Sequence, residues 1–465
     1  MKTLLSYLCP VLAVLLYSAP DDTGAAEPVA NGAASPFSGE LGVLFAPFYS
    51  AETVLLRQDG REWHTWKGGR EPALSVRLQP DGSMLRLGGM PSPPAFKNAR
   101  MAGGYLQRFS WDGALLWEFP AMTSTMIAYG DALVLPNGNI LTAALEFKTR
   151  EECEKMGRDP SLLTDQGMYV PALVEYRPHE KDAAFQVWKW SLWDHLYQAR
   201  HPALPHHQFQ GRKAGRVDLG LLPHLKGPRW LLPKEIDYLP EQDLILMMVH
   251  GSREVWVIDH STTTQEAASE TGGRRNRGGS VVAWSAAATE PGAAAQTVLS
   301  AEWKTQQSGS SATTADLIVL SYAKNGCFVD ELKLNLDSME FTTTRRLKRL
   351  EVAKNALDDL PPIIVSQGRS GEALVLGNPD SGKLSFADTT PAKSWTYKNE
   401  KGVVTMVPYR GKPGEACCGG GSDTGGAASS TTAPKTGAAL PPPIQRAPTT
   451  KPRISSLMSA PLSVP

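Results

Sequence analysis

Cysteine is scarce in this chain of 465 residues: there are five, and no two stand in a Cys-x-x-Cys pair. Cys417 and Cys418 are neighbours, so their Cα atoms lie about 3.8 Å apart, below the usual disulfide range. A disulfide scaffold and a Cys-x-x-Cys metal centre are excluded. An excess of one charge is also missing, since 47 Lys and Arg balance 47 Asp and Glu. Nucleic-acid binders normally carry a basic excess, so no nucleic-acid partner is expected. There is no Gly-x-Ser-x-Gly elbow and no phosphate cradle in a strand–loop–helix setting, which leaves a generic serine hydrolase or nucleotide enzyme unsupported. No cofactor and no metal site are expected.

Glycine and proline are abundant, at 42 and 36 residues, and there are 12 Trp. Many turns and many flat side chains favour strands over helices. Lys2 followed by the mostly apolar run Leu4 to Tyr17 and by small residues through Ala26 reads as an export signal. That run is too short to span a membrane comfortably, and no second run is longer, so no membrane span is expected after signal removal. The domain reading is 1–26 signal peptide, 27–50 linker, 51–410 folded domain and 411–465 low-complexity tail. The tail has no aromatic residue and is expected to be disordered. The location is expected to be exported: periplasmic, cell envelope or secreted.

Between the ends a pattern recurs. Asp59-Gly60-Arg61-Glu62-Trp63 returns as Asp112-Gly113-Ala114-Leu115-Leu116-Trp117, and Pro80-Asp81-Gly82-Ser83-Met84-Leu85 returns as Pro136-Asn137-Gly138-Asn139-Ile140-Leu141. Asp-Gly and Asn-Gly favour tight hairpins. The two glycine pairs are 53 and 56 residues apart, a spacing that suits one four-stranded unit per repeat. The expected fold is all-β, a six-bladed β-propeller with loop insertions. Insertions are expected at 148–160, as a short helix, at about 197–228, and at the basic loop Gly272 to Gly279.

Leu192-Trp193-Asp194-His195-Leu196, Ile236-Asp237-Tyr238-Leu239-Pro240-Glu241 and Glu254-Val255-Trp256-Val257-Ile258-Asp259-His260 with Thr271-Gly272-Gly273-Arg274 together resemble the bacterial aryl-sulfate sulfotransferase family. The resemblance spans about 50–410 and is most specific over about 103–285. It implies a propeller with a site at the funnel mouth, where a histidine carries the sulfuryl group from an aryl sulfate to a phenol. The sequence departs from that pattern. Where the family has His-His-Asp, this chain has Tyr129-Gly130-Asp131. Where it has Trp-x-His, this chain has Trp230-Leu231-Leu232. Where it has Gln-His-Asp-Ala-x-Trp, this chain has Val298-Leu299-Ser300-Ala301-Glu302-Trp303. Leucine has no lone pair with which to attack sulfur.

The site candidates are therefore His250 and Asp131 for chemistry, and His250, Asp131, Lys234 and Arg253 for binding. The leading expectation is an exported, non-catalytic propeller that binds a small aromatic or sulfated ligand, or a protein partner, at the funnel mouth. The alternatives are an active sulfotransferase using His250 with His206 or His207, and a structural envelope protein. His201, His206, His207 and His224 also raise a zinc site, against which stands a solvated His-rich loop. His195 is expected as a polar anchor. His260 is expected to organise a turn, and Arg274, Arg275 and Arg277 to form a solvated tip.

Overall fold

A computed structural model describes residues 41–410 except 48–49, 58–60, 80, 90–92, 100–102, 209–213, 222–224, 251–253, 286–296, 305–312, 324–325, 351–362, 368–370, 379–382, 389–394 and 399–402. Most side chains are described as far as Thr343. The expected signal peptide, the expected linker before Leu41 and the expected low-complexity tail after Arg410 lie outside the described residues.

The fold is a β-propeller. Among the described residues there are six four-stranded antiparallel sheets, of which sheets 2 to 6 are simple meanders. Sheet 2 is Pro72–Leu78, Met84–Gly88, Tyr105–Phe109 and Leu115–Pro120. Sheet 3 is Met126–Val134, Ile140–Lys148, Met168–His179 and Ala183–Ser191. Sheet 4 is Leu232–Leu239, Leu244–His250, Glu254–Asp259 and Val282–Ser285. Sheet 5 is Thr297–Trp303, Thr314–Ala323, Gly326–Asn335 and Glu340–Leu350, and sheet 6 is Ile363–Gln367, Gly371–Asn378, Lys383–Asp388 and Trp395–Lys398. Sheet 1 closes the ring. Its strands Leu41–Pro47, Glu52–Leu56 and Glu62–Lys67 accept Val403–Arg410 alongside Leu41–Pro47.

That closure corrects the expected boundary of the linker. Leu41-Gly42-Val43-Leu44-Phe45-Ala46-Pro47 is an apolar strand inside the expected 27–50 linker, with Leu44, Phe45 and Ala46 fully buried. Such a run repays its ordering by burial. The hairpins form where the turn residues stand: Gly113 and Gly138 have φ of 89° and 83°, a region that other residues enter at a steric cost.

The core lies in wedges between neighbouring sheets. Trp188, Trp190, Trp230 and Trp256 fill the wedge of sheets 3 and 4. Phe119, Ala128, Ala144 and Tyr176 fill that of sheets 2 and 3. Trp284, Trp303, Leu317 and Leu332 fill that of sheets 4 and 5.

The insertions leave from the end of the sheets where the innermost strands begin. The helix Arg150–Met156 starts at a Thr149–Glu152 capping box and stops at Gly157, φ 102°. The segment after sheet 3 adds a two-stranded parallel pair, Leu196–Tyr197 with Val217–Asp218. From the opposite end of sheet 4, residues 260–281 fold back along the outer strand of sheet 3. There Trp188 Nε1 donates to Thr262 Oγ1 at 3.2 Å and Trp190 Nε1 to the Gly279 carbonyl at 2.8 Å. A solvated tip is the expectation from sequence here, and Arg275 departs from it. Arg275 is nearly buried, donates to Gln242 Oε1 at 3.0 Å and lies 3.5 Å from Asp259. No helix among the described residues is long and apolar enough to cross a membrane.

Candidate functional site: the axis of the ring

The innermost strands of sheets 2, 3, 4 and 5 meet side by side. Strand alternation along Leu232–Leu239 sends Ile236 into the apolar wedge and puts Glu235 and Asp237 on the other face. Glu235 Oε2 accepts from Ser300 Oγ at 2.8 Å and from the Ala301 amide at 3.4 Å. Asp237 accepts from the amides of Trp303 at 2.8 Å and Tyr238 at 2.9 Å. Three of these bonds, from Ser300, Ala301 and Trp303, tie sheet 5 to sheet 4, and all four fix the two carboxyls.

Asp131 ties three sheets. Its Oδ1 accepts from Ser75 Oγ at 2.6 Å, Arg77 Nε at 3.2 Å and its neighbour Ala132 at 2.8 Å. Its Oδ2 accepts from Arg77 Nη2 and from the Ile236 amide at 3.1 Å. Arg77 Nη2 also reaches the Ile236 carbonyl at 2.7 Å. Both oxygens of Asp131 are thus engaged by groups from sheets 2, 3 and 4.

Counting charges sets the chemistry of the axis. One guanidinium, Arg77, faces the carboxyls of Asp131, Asp237 and Glu235, and its charge also acts on Glu302. Burial works against the charge of Arg77, but Asp131 outweighs it and raises the Arg77 pKa. The surplus carboxyls respond in the opposite sense. Burial pushes Glu235 up to about 8, although Lys234 and Ser300 pull it back. Burial raises Asp237. Burial raises Glu302 well above the usual range, helped by the charges of Asp237 and Glu235. At neutral pH Glu235 therefore holds its proton and can donate as well as accept.

The sequence candidates fall into place around this cluster. Asp131 lies in it. Lys234 precedes Glu235 on the same strand, and Leu232 of that strand pairs with His250 on the next. Burial, then the charge of Lys234, lowers His250 to about 4, so the imidazole is neutral at neutral pH. Arg253 and His224 lie outside the described residues. His201, His206 and His207 sit in the insertion, where Gln198 Nε2 donates to the His201 carbonyl at 2.9 Å and the Gln198 amide to the His206 carbonyl at 3.1 Å. Among the described residues no group of three or more His, Cys, Asp or Glu is arranged to hold a metal ion. His195 is fully buried, and its Nε2 donates to the Ala267 carbonyl at 2.8 Å.

Gly130, where the resemblance places a histidine, has φ of 87°. A Cβ there would stand 2.4 Å from the Pro233 carbonyl oxygen on the inner strand of sheet 4. The backbone occupies the space a side chain would need.

Sequence reasoning missed Arg77, Glu235, Asp237 and Glu302. The available signal was an acidic pair two residues apart in a strand, and a lone acid between Ala301 and Trp303. It also misread His260, which does more than order its own turn. Its Nδ1 is 2.7 Å from Asp243 Oδ1 and its Nε2 is 3.0 Å from Glu175 Oε2, in sheet 3. Tyr238 donates to Asp243 at 2.7 Å, and Asn139 donates to Glu175 at 2.5 Å.

No family model matches this chain, and no curated protein does. Solved structures do. The periplasmic gluconolactonase PpgL of Pseudomonas aeruginosa is similar at 11% identity, covering 79% of this chain and 98% of that one, with a TM-score of 0.37. Apo AztD from Citrobacter koseri is similar at 10% identity, covering 80% and 98%, with a TM-score of 0.32. The β-propeller domain of Myceliophteria_thermophila Cps50 (Swd1) is similar at 12% identity, covering 76% and 79%, with a TM-score of 0.34. Neither activity nor ligand passes from those proteins to this chain at such values.

Proposed function

We propose that this chain is an exported propeller that binds a ligand at the funnel mouth and axis, and that it does not transfer sulfuryl groups. The observation that carries this reading is the charge balance on the axis. A sulfuryl donor is an anion, and its transfer calls for cationic or hydrogen-bonding groups on the sulfuryl oxygens and a free nucleophile. Here, among the described residues, the guanidinium facing the axial carboxyls, Arg77, is committed to Asp131, and the carboxyls of Glu235, Asp237 and Glu302 act on the same space. Gly130 supports the reading as well, because its backbone contact leaves no room for an imidazole. A ligand suited to this surface carries ammonium groups or several hydroxyls, which carboxyls can accept from and donate to.

The competing reading keeps the sulfotransferase activity on a relocated histidine. It is favoured by a neutral His250 beside the Lys234 ammonium, the pairing that a nitrogen nucleophile attacking a sulfuryl group would use. The two readings separate by incubating the full chain with 4-nitrophenyl sulfate and phenol. The binding reading expects no nitrophenolate above the uncatalysed rate. A parallel titration with amines and polyols, read by tryptophan fluorescence, is expected to saturate, and Glu302→Gln is expected to weaken it.

A further inference from the structure

We propose that the apolar end of the outer hairpin of sheet 2, with Trp63 and Trp111 beside it, is a docking surface for this chain's own proline-rich segment, residues 440–444. This goes beyond the binding reading, since the surface lies on outer strands and shares no residue with the axial carboxyls.

Among the described residues the exposed large apolar side chains are Leu115 and Leu116, at 51% and 47%. They stand side by side at the start of the outer strand Leu115–Pro120. Phe109 pairs with Leu115 and Arg108 with Trp117, so Leu116 is the extra residue of a bulge. Trp111 sits in the turn of the same hairpin, which the Ser110 amide closes on the Ala114 carbonyl at 2.9 Å. The Trp111 ring lies 5.2 Å from that of Trp63 and stacks on His64 at 4.4 Å, so the hairpin meets the outer strand of sheet 1. Trp63 and Trp111 are half-buried, and Trp66 beneath them is fully buried. Trp66 Nε1 donates to the Ser110 carbonyl at 3.0 Å. Trp111 Nε1 has no acceptor among the described residues. Two exposed leucines, two half-buried indoles and a spare N–H donor suit an apolar segment that carries free carbonyls.

Where the folded chain ends selects the occupant. Arg410 pairs with Leu41, Val43 of the same strand pairs with Leu56, and Leu56 pairs with Glu62, next to Trp63. Arg410 and Trp63 therefore lie at the same end of sheet 1, three strand spacings or about 14 Å apart. The chain continues to Pro465 and carries Leu440-Pro441-Pro442-Pro443-Ile444. A Gly- and Ser-rich span such as 411–440 has a reach of about 30 Å, so this segment can arrive at the hairpin. Three consecutive prolines favour the polyproline II helix, whose carbonyls are unpaired and whose rings pack on aromatic-lined surfaces. Tethering raises the local concentration to the order of millimolar, so a weak contact suffices. A tail without a core of its own can order on such a surface.

The test places the photoreactive residue p-benzoylphenylalanine at Leu116 of the full chain, irradiates it and maps the crosslinks by peptide mass spectrometry. The expected product has monomer mass and joins position 116 to residues 440–444. It is lost when Pro441, Pro442 and Pro443 are all replaced by serine, and it does not form from a probe at Asn137, in the exposed turn of sheet 3. A crosslink to another segment or another protein, one of dimer mass, no crosslink at all, an equal crosslink from position 137, or one that survives the serine replacements would each overturn the proposal. If the probe-bearing chain fails to fold, hydrogen exchange of the unlabelled chain decides. Faster exchange at residues 110–116 in the serine variant than in the wild type upholds the docking, and equal exchange overturns it.

Discussion

Arg77 and Asp131 face each other across the inner strands of sheets 2 and 3, with Nε 3.2 Å from Oδ1 and Nη2 on Oδ2. The same guanidinium reaches the Ile236 carbonyl, and the same carboxylate accepts the Ile236 amide. Two side chains thereby close hydrogen bonds with a third strand, and three sheets share one joint. A carboxylate used in this way fixes the ring rather than moving protons.

Asp131→Ala removes the partner of a cation in the protein interior. Breaking such a pair costs about 3–5 kcal/mol, because the remaining charge is left uncompensated. Chemical denaturation is expected to show that loss. Asp131→Asn keeps a single acceptor oxygen, enough for Ser75 and Ala132 or for Ile236 but not for both, and is expected to recover only part of it. A loss below about 1 kcal/mol in the alanine variant would mean that the joint does not hold the inner strands together.

His260 joins sheets 3 and 4 through Glu175 and Asp243. Burial alone would depress its pKa, but the hydrogen bonds it donates to Asp243 and Glu175 outweigh burial and raise it to about 9. A histidine raised in the folded state contributes its full stability below its unfolded value near 6.5, and that contribution drains away as the pH rises through about 9. Burial likewise opposes the charges of Glu175 and Asp243, yet His260 holds both below the ordinary carboxylate range. Their share is therefore lost only as the pH falls beneath that range. His260→Ala is expected to cost about 3–5 kcal/mol at pH 6 and to remove the alkaline part of the pH dependence. An unchanged slope between pH 6.5 and 9 would exclude His260 as its source.

Gly130 tests whether the site has room for the imidazole that the resemblance to sulfotransferases would place there. Gly130→Ala adds a Cβ 2.4 Å from the Pro233 oxygen at a φ of 87°, and is expected to cost about 3 kcal/mol through strain and overpacking. Gly130→His is expected to destabilise at least as much and to confer no sulfuryl transfer. A stable Gly130→His protein with activity would show that the inner strands can spread.

The architecture was legible because hairpin turns are local. Asp112-Gly113 and Asn137-Gly138 mark their own bends, and the capping box at Thr149 marks its own helix. Closure was not, because the pairing of Leu41–Pro47 with Val403–Arg410 joins segments from opposite ends of the chain. The site was read only in part for the same reason. Asp131 was singled out from its neighbours in sequence, and Lys234 and His250 likewise. The partners that decide what Asp131 does, Arg77 and Ile236, lie 54 and 105 residues away. Glu175 is 85 residues from His260, so that clasp left only a His-Ser-Thr turn to see. Charge crowding on the axis emerges only when the inner strands of separate sheets are brought together.

The central claim is that this ring retains the propeller but has an axis unsuited to carrying sulfate. The direct measurement is intact-protein and peptide mass spectrometry of the full chain after incubation with 4-nitrophenyl sulfate, with phenol then added. The predicted result is an unmodified polypeptide and no phenyl sulfate. A sulfated histidine that is discharged by phenol and abolished by His250→Ala would contradict the account.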